Sequence, residues 1–171
     1  MHSGARRAWF DRWKMAMNDE KDNPGVAVFP PLLFLVALIL MVALRYVFPL
    51  AIGGRPLSMV LGVVLAALAI AFIAWGRRTM QRAGTNIEPT KPTLAIVTGG
   101  PFRFVRNPLY LGLMGLLLGI GFIFDTWWSV LALIPVFLIL HFGVVLREEA
   151  YLERKFGEPY RAYKASVRRY L

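Results

Sequence analysis

With 171 residues, 57% of them hydrophobic, and a mean hydropathy of +0.54, the chain is too apolar for an ordinary soluble domain and too short for several domains. Its formal net charge is +10 and it contains no cysteine, which excludes disulfides, thiolate metal sites and cysteine nucleophiles. Whether the basic charge marks nucleic acid or a membrane surface depends on where it falls along the chain.

Residues 1–28 lack the apolar core of a signal peptide and mix Asp19, Glu20 and Asp22 with bases. Trp9, Phe10, Trp13 and Met17 fall at helical spacing, so this stretch reads as an interfacial segment on the headgroup layer. Four apolar runs follow: Phe29 to Phe48, Leu57 to Trp75, Leu109 to Phe124 and Trp128 to Leu146. Each is near the roughly 17 to 25 residues that cross hydrocarbon as a helix, the third being the shortest. Backbone groups in lipid must pair within their own segment, and none of the runs shows the alternation of a barrel strand. The expected fold is therefore all-α: a polytopic membrane protein with about four transmembrane helices and a C-terminal amphipathic cytoplasmic extension.

The basic residues agree with this topology. Arg6, Arg7, Arg12, Lys14 and Lys21 precede the first run. Arg77, Arg78, Arg82, Lys91, Arg103 and Arg106 separate the second from the third, and seven more bases from Arg147 to Arg169 follow the fourth. The opposite loops hold only Arg45 and Arg55. Both termini and the middle loop are then cytoplasmic, and anionic headgroups, not nucleic acid, are the partner for the charge. Residues 29–75 read as a scaffold hairpin turned by Gly53, Gly54 and Pro56, with Gly62, Ala66, Ala67 and Ala69 as a packing surface. The whole of 1–171 reads as one integral membrane domain whose chemistry lies in 76–171.

From Gly76 to Asn107 the chain is polar and rich in Gly, Pro and Thr, a connection long enough to suggest a working loop. Asn107 then reads as a cap and Pro108 as the first residue of the third helix. Gly112, Gly115 and Gly119 leave one face of that helix nearly bare, either for close packing or as a groove. Asp125 and Thr126 form the outer turn, Trp127 and Trp128 read as interface anchors, and Pro135 predicts a kink in the fourth helix. That helix is expected to continue into water to Phe156 and stop at Gly157. Pro159 then starts a short amphipathic helix with Tyr160, Tyr163, Val167 and Tyr170 on one side.

A membrane hairpin returns the chain to the face it left, so Gly100 to Gly112 and Glu148 to Tyr163 should meet at one surface. Asn107 caps a helix end of partial positive charge and Arg106 adds a full charge beside it, which favours an anionic group such as a carboxylate or phosphate. An ordinary cap with a headgroup-binding arginine is the plainer alternative. Glu148 and Glu149 differ by about 100° around a helix, which predicts that only one faces the pocket. His141 lies seven residues before Glu148 on nearly the same helical face, about 10 Å deeper. That spacing favours Glu148 as the inward carboxylate. His141 is either functional or bonded to a neighbouring helix.

Gly100-Pro101-Phe102-Arg103 and Arg106-Asn107-Pro108-Leu109-Tyr110, followed by Glu148-Glu149, Phe156-Gly157, Tyr160 and Tyr163, resemble the isoprenylcysteine carboxyl methyltransferases and their phospholipid N-methyltransferase relatives. The likeness runs from Gly84 onward. It implies a helical membrane enzyme that transfers a methyl group from S-adenosylmethionine, with 76–171 as the catalytic half. Carried over, the cofactor set is Val97, Gly100, Phe102, Arg106, Asn107, Pro108, Tyr110 and one of Glu148 or Glu149. The candidates for catalysis are Arg106, His141, Glu148 and Glu149, with no metal. His141 or the glutamate that does not hold the cofactor would take the proton of an amine acceptor. Asn107 stands where the eukaryotic carboxyl methyltransferases have histidine, which is similar to the bacterial branch with its diverse substrates. It implies a bacterial inner membrane and a lipophilic acceptor, reached sideways between the third and fourth helices. The rival reading is a non-catalytic lipid-binding or assembly protein that keeps the same fold. A small transporter fits less well, since the runs hold few polar groups and show no half repeats.

Overall fold

The computed structural model describes residues 22–170; the aromatic stretch from Trp9 to Met17 lies outside them. Every regular element among the described residues is helical: α1 (Pro30–Val47), α2 (Leu57–Arg82), a 3₁₀ turn (Gly100–Arg103), α3 (Pro108–Ile123), α4 (Trp128–Leu140), a π-helical turn (His141–Val145), α5 (Leu146–Phe156) and α6 (Glu158–Ser166). Three stretches are long and apolar enough to cross a membrane: α1, α2 and the continuous 29-residue helix Trp128–Phe156. Helix α3 is as apolar but has 16 residues.

Helix α2 outruns its apolar sequence by almost two turns. Nothing breaks it until Ala83 and Gly84, where the chain takes a positive φ of 69° that glycine adopts freely. The polar connection predicted from Gly76 is therefore helical as far as Arg82. Helix α4 passes through Pro135 without ending, and the widened π turn after it leaves the Gly143 carbonyl able to accept the Ala27 N–H at 2.9 Å. Gly157, at φ 60°, stops α5, and Pro159 stands in the first turn of α6.

The helices of 29–75 pack mainly against other elements and not against each other: α2 lies against α3, and α1 against α4. The α2–α3 seam is made of small residues. A Cβ on Gly62 would lie 2.5 Å from the Ile123 amide nitrogen, one on Gly112 2.5 Å from Ile73 Cγ1, and one on Gly119 2.7 Å from the Ala66 amide nitrogen. Close packing thus accounts for Gly112 and Gly119. Ala67, expected on this seam, is exposed, whereas Ser58, Gly62, Ala66, Ala69 and Gly76 form the buried face. On the other side, Phe34, Ala37 and Met41 of α1 join Leu117, Val136, Leu140 and Val144 in one core.

At the end of the bundle holding the Asp125 turn, Trp127 N–H bonds the Leu50 carbonyl, Trp128 Nε1 the Phe48 carbonyl at 2.8 Å and Arg45 Nε the Phe124 carbonyl at 3.0 Å. Trp128 is thus a structural tie, and of the two tryptophans only Trp127 is exposed. The opposite end, where α2 stops, α3 starts and α5 emerges, carries the polar residues of Gly100 to Gly112 and Glu148 to Tyr163. Helix α6 buries Tyr160 and Tyr163 there. Its register does not extend to Val167 and Tyr170, because the chain becomes extended at Val167 and Arg168 pairs as a parallel β-bridge with Val105.

Candidate functional site

A cavity opens at this polar end between the start of α3, helices α5 and α6, the end of α2 and the loop 83–99. Its free space is about 860 Å³ counting the open mouth. Val97, Phe102, Arg106, Asn107, Pro108, Tyr110, Glu148 and Glu149 all line it. The geometry that the sequence required, with Asn107 and the acidic pair meeting at one end of the bundle, is present.

Two candidates lie elsewhere. Gly100 does not line the cavity; it turns the chain at φ 58°, where a Cβ would press on the Thr79 side chain. His141 is also outside. Its Nδ1 shares a 3.0 Å hydrogen bond with the Tyr170 hydroxyl, and its ring stacks on Phe137. The helical arithmetic that sets His141 above Glu148 assumes α-helix throughout, but the π turn between them winds more slowly and shifts the phase.

The expectation that only one glutamate faces the pocket is corrected, because walls from several elements meet both side chains. Glu148 accepts the Tyr110 hydroxyl at 2.6 Å. Glu149 is 5% exposed and is gripped by Arg169, with Nε at 2.8 Å and Nη2 at 2.7 Å, while Arg106 Nη2 lies 3.2 Å away. One carboxylate is therefore neutralised by two guanidinium groups and the other is held by a neutral hydroxyl.

Arg106 is the least satisfied group in the site. Its side chain is 8% exposed, yet Nε and Nη1 have no hydrogen-bond partner among the described residues. Buried donors of this kind are costly unless something accepts from them. Asn107 marks the start of α3, but its side chain does not cap the helix; Nδ2 donates to the Arg169 carbonyl at 3.2 Å. The helix amides are left free of a side-chain cap beside the Arg106 guanidinium, so both can meet an anionic group.

Tyr163 donates to the Phe102 carbonyl at 2.7 Å, tying α6 to the 3₁₀ turn. Burial pushes its hydroxyl up to about 12. Burial first, and then the negative charge of Glu149, raises that of Tyr160 well above its ordinary value. Both stay protonated at neutral pH, and Tyr163 acts as a fixed donor.

Most of the remaining wall carries no signal in the sequence. Thr85, Asn86, Ile87, Pro89, Thr93 and Ile96 line the cavity from the loop, and Leu152 and Tyr160 from the helices. The loop is held by its own bonds. Thr85 Oγ1 accepts the Leu94 N–H at 2.9 Å, and Asn86 Nδ2 donates to the Pro92 carbonyl at 2.7 Å. Thr93 N–H reaches the Tyr151 hydroxyl at 3.1 Å, and that hydroxyl donates to Asp22, which Lys155 also holds. Only the Gly84-Thr85-Asn86 turn is visible in sequence; nothing periodic marks the rest. Arg169 is, by sequence, one more base after the fourth apolar run.

A second, wholly different cavity lies between α3 and α4. It is an open apolar groove lined by Leu111, Met114, Gly115, Leu118, Leu133 and Phe137, among others. Its upper end, at Leu111, is one residue from Tyr110.

Residues 57–159 match the phospholipid methyltransferase family. A relative from Haemophilus influenzae, named only as an uncharacterised protein, is 40% identical over 63 residues, which cover 37% of this chain and all of the relative. The match to the family takes in α2, α3, α4, α5 and the whole loop between α2 and α3. It therefore includes every residue lining the polar cavity except Pro24, Tyr160 and Tyr163, and Arg169 lies beyond it. The chain belongs to the phospholipid methyltransferase family.

Proposed function

We propose that the protein is an S-adenosylmethionine-dependent methyltransferase that acts on a lipophilic amine or carboxylate at the cytoplasmic face of the membrane. The observation that carries this reading is the buried Arg106, half-unpartnered among the described residues, beside the uncapped start of α3 in a cavity that also presents two carboxylates. A zwitterionic nucleoside sulfonium has matching parts: a carboxylate for Arg106, and an ammonium and ribose hydroxyls for Glu149 or Glu148. Ile87, Val97, Phe102, Pro108 and Leu109 supply apolar lining for its base and chain. When bound, the cofactor supplies an activated methyl group on sulfur.

The residues of this chain then have to orient the two reactants and exclude water. The α3–α4 groove gives the apolar part of the acceptor a place to lie, with its reactive end near Tyr110. Glu148 has no cationic partner among the described residues, which suits it to take the proton of an amine acceptor. A carboxylate acceptor would need no base. We assign α3 as a fourth, short span. With it both termini lie on the basic, cytoplasmic side, and residues 29–75 and 76–171 act as parts of one membrane domain.

The test is incubation of the purified protein with radiolabelled S-adenosylmethionine and a bacterial lipid extract. Label is expected in a lipid fraction, and calorimetry is expected to detect cofactor binding. Folded protein that binds no cofactor refutes the enzyme reading; binding without transfer to any lipophilic acceptor leaves the non-catalytic alternative.

Tyr110→Phe gives a sharper check. It removes only the hydroxyl that holds Glu148, and hydrogen bonds to charged groups contribute about 1.5–3 kcal/mol. Initial rates should fall about 10- to 100-fold while the protein remains folded; an unchanged rate would show that the Glu148 contact is incidental.

A further inference from the structure

The extended segment Val167–Tyr170 is tied to the site at three places. The Arg168 carbonyl accepts the Arg106 N–H at 2.9 Å, and the same residue forms the bridge with Val105. Arg169 grips Glu149 with two nitrogens and, through its own carbonyl, holds Asn107 Nδ2. Tyr170 shares the hydrogen bond with His141 and packs its ring on Phe137 at a centroid distance of 5.2 Å. Resting on the methyltransferase reading, we propose that Arg169 is a positioning residue of the cofactor site, holding Glu149 on α5 and Asn107 at the start of α3 in fixed relation, and that His141 anchors the segment that carries it.

The arrangement exceeds what a surface ion pair requires. Glu149 is buried, and a carboxylate in that environment needs a cation with fixed geometry to stay charged and in one rotamer. Arg106 alone reaches one of its oxygens at 3.2 Å; Arg169 meets both. The same residue's backbone carbonyl accepts from the amide of Asn107, which makes no cap. One residue thus links the two polar ends of the cavity, across elements 62 and 20 positions away in sequence. His141 lies outside the cavity and has its Nδ1 engaged with Tyr170, so its contribution passes through the segment.

The experiment compares the full chain in lipid nanodiscs with Arg169→Met, Arg169→Lys and Tyr170→Phe. Arg161→Met, in which an exposed arginine paired to Glu158 is lost, serves as control. S-adenosylhomocysteine binding is measured by calorimetry, and KM for S-adenosylmethionine separately from kcat. Arg169→Met should raise both the dissociation constant and KM about tenfold, the equivalent of about 1.4 kcal/mol, with kcat changed far less. Arg169→Lys keeps the charge but loses the second prong and should fall between the two. Tyr170→Phe should raise KM about twofold, and Arg161→Met should match the parent.

If the parent binds S-adenosylhomocysteine and Arg169→Met binds it equally well, the inference is overturned while the enzyme reading stands. A fall in kcat with KM unchanged overturns the positioning role as well. Should Arg169→Met fail to fold, the lysine and Tyr170→Phe variants decide: parental KM in both overturns the proposal. A parent that binds no S-adenosylhomocysteine defeats the methyltransferase reading and this inference together.

Discussion

Glu149→Gln is expected to reduce methyl transfer at least about 100-fold and to lower the unfolding temperature in nanodiscs, whereas Glu148→Gln should slow transfer to an amine acceptor and keep most of the stability. The difference follows from what each carboxylate holds. Glu149 is buried and receives Arg106 and both prongs of Arg169. Glutamine cannot neutralise either guanidinium. Arg106 would then be left with a full charge at 8% exposure. Removing one partner of a buried ion pair costs about 3–5 kcal/mol. The partial exposure of Arg169 to solvent places the expected loss toward the lower end of that range.

Glu148 differs in having Tyr110 as its partner, and a glutamine oxygen can still accept that hydroxyl. Stability is therefore expected to fall by less than about 1 kcal/mol. Its proton-accepting capacity is lost outright, which should slow transfer to an amine and leave transfer to a carboxylate nearly intact. Thermal unfolding, cofactor binding and initial rates on the two variants together check the assignment. Glu148→Gln proving the less stable of the pair, or Glu149→Gln turning over at the parental rate, would reverse these two roles.

Local signals in this chain are legible, and of the tertiary ones only the return of the hairpin to one end of the bundle is. Apolar run length locates α1, α2 and Trp128–Phe156, because in lipid a helix is the only way to pair the backbone of a single segment. Pro108 and Pro159 mark helix starts and Gly157 a stop, since fixed φ and a left-handed φ are properties of single residues. The pairing of α1 with α4 cannot be read this way. Every lipid-facing or core-facing leucine is equally apolar, so sequence neighbours α1 and α2 look like natural partners. The two glutamates mislead for a related reason. A helical wheel describes one helix, and in the folded chain walls from α3 and the Val167–Tyr170 segment receive both side chains. That segment has no period and no punctuating residue, so neither Arg169 nor the use of Asn107 as its partner is marked in the sequence.

Gly119→Leu is expected to remove nearly all folded protein, and Gly115→Leu to leave folding close to normal while weakening acceptor binding. Both glycines sit on the bare stripe of α3 but meet different surroundings. A Cβ on Gly119 would lie 2.7 Å from the Ala66 amide nitrogen and 3.0 Å from the Gly62 carbonyl oxygen. Those atoms are backbone of α2 and cannot swing aside, so the whole α2–α3 seam must separate. Overpacking of this kind costs about 1–3 kcal/mol and more when backbone has to move, and close approach is what holds helices together where lipid supplies no hydrophobic drive. The strain also reaches the site. Gly119 lies twelve residues along α3 from Asn107, or about 18 Å, and prying the helices apart there tilts the start of α3 relative to the end of α2. A Cβ on Gly115, by contrast, meets only the Ala69 methyl at 3.5 Å, an ordinary contact, and this residue also lines the open α3–α4 groove. A leucine there can turn into the groove and occupy the space assigned to the acceptor's apolar part. The fraction of monodisperse protein in detergent reports the first effect. The KM for a lipid acceptor, with the S-adenosylhomocysteine dissociation constant unchanged, reports the second. Equal folding of the two variants would mean that the glycine stripe is not the seam, and an unaltered acceptor KM in folded Gly115→Leu would remove the groove from the path of the substrate.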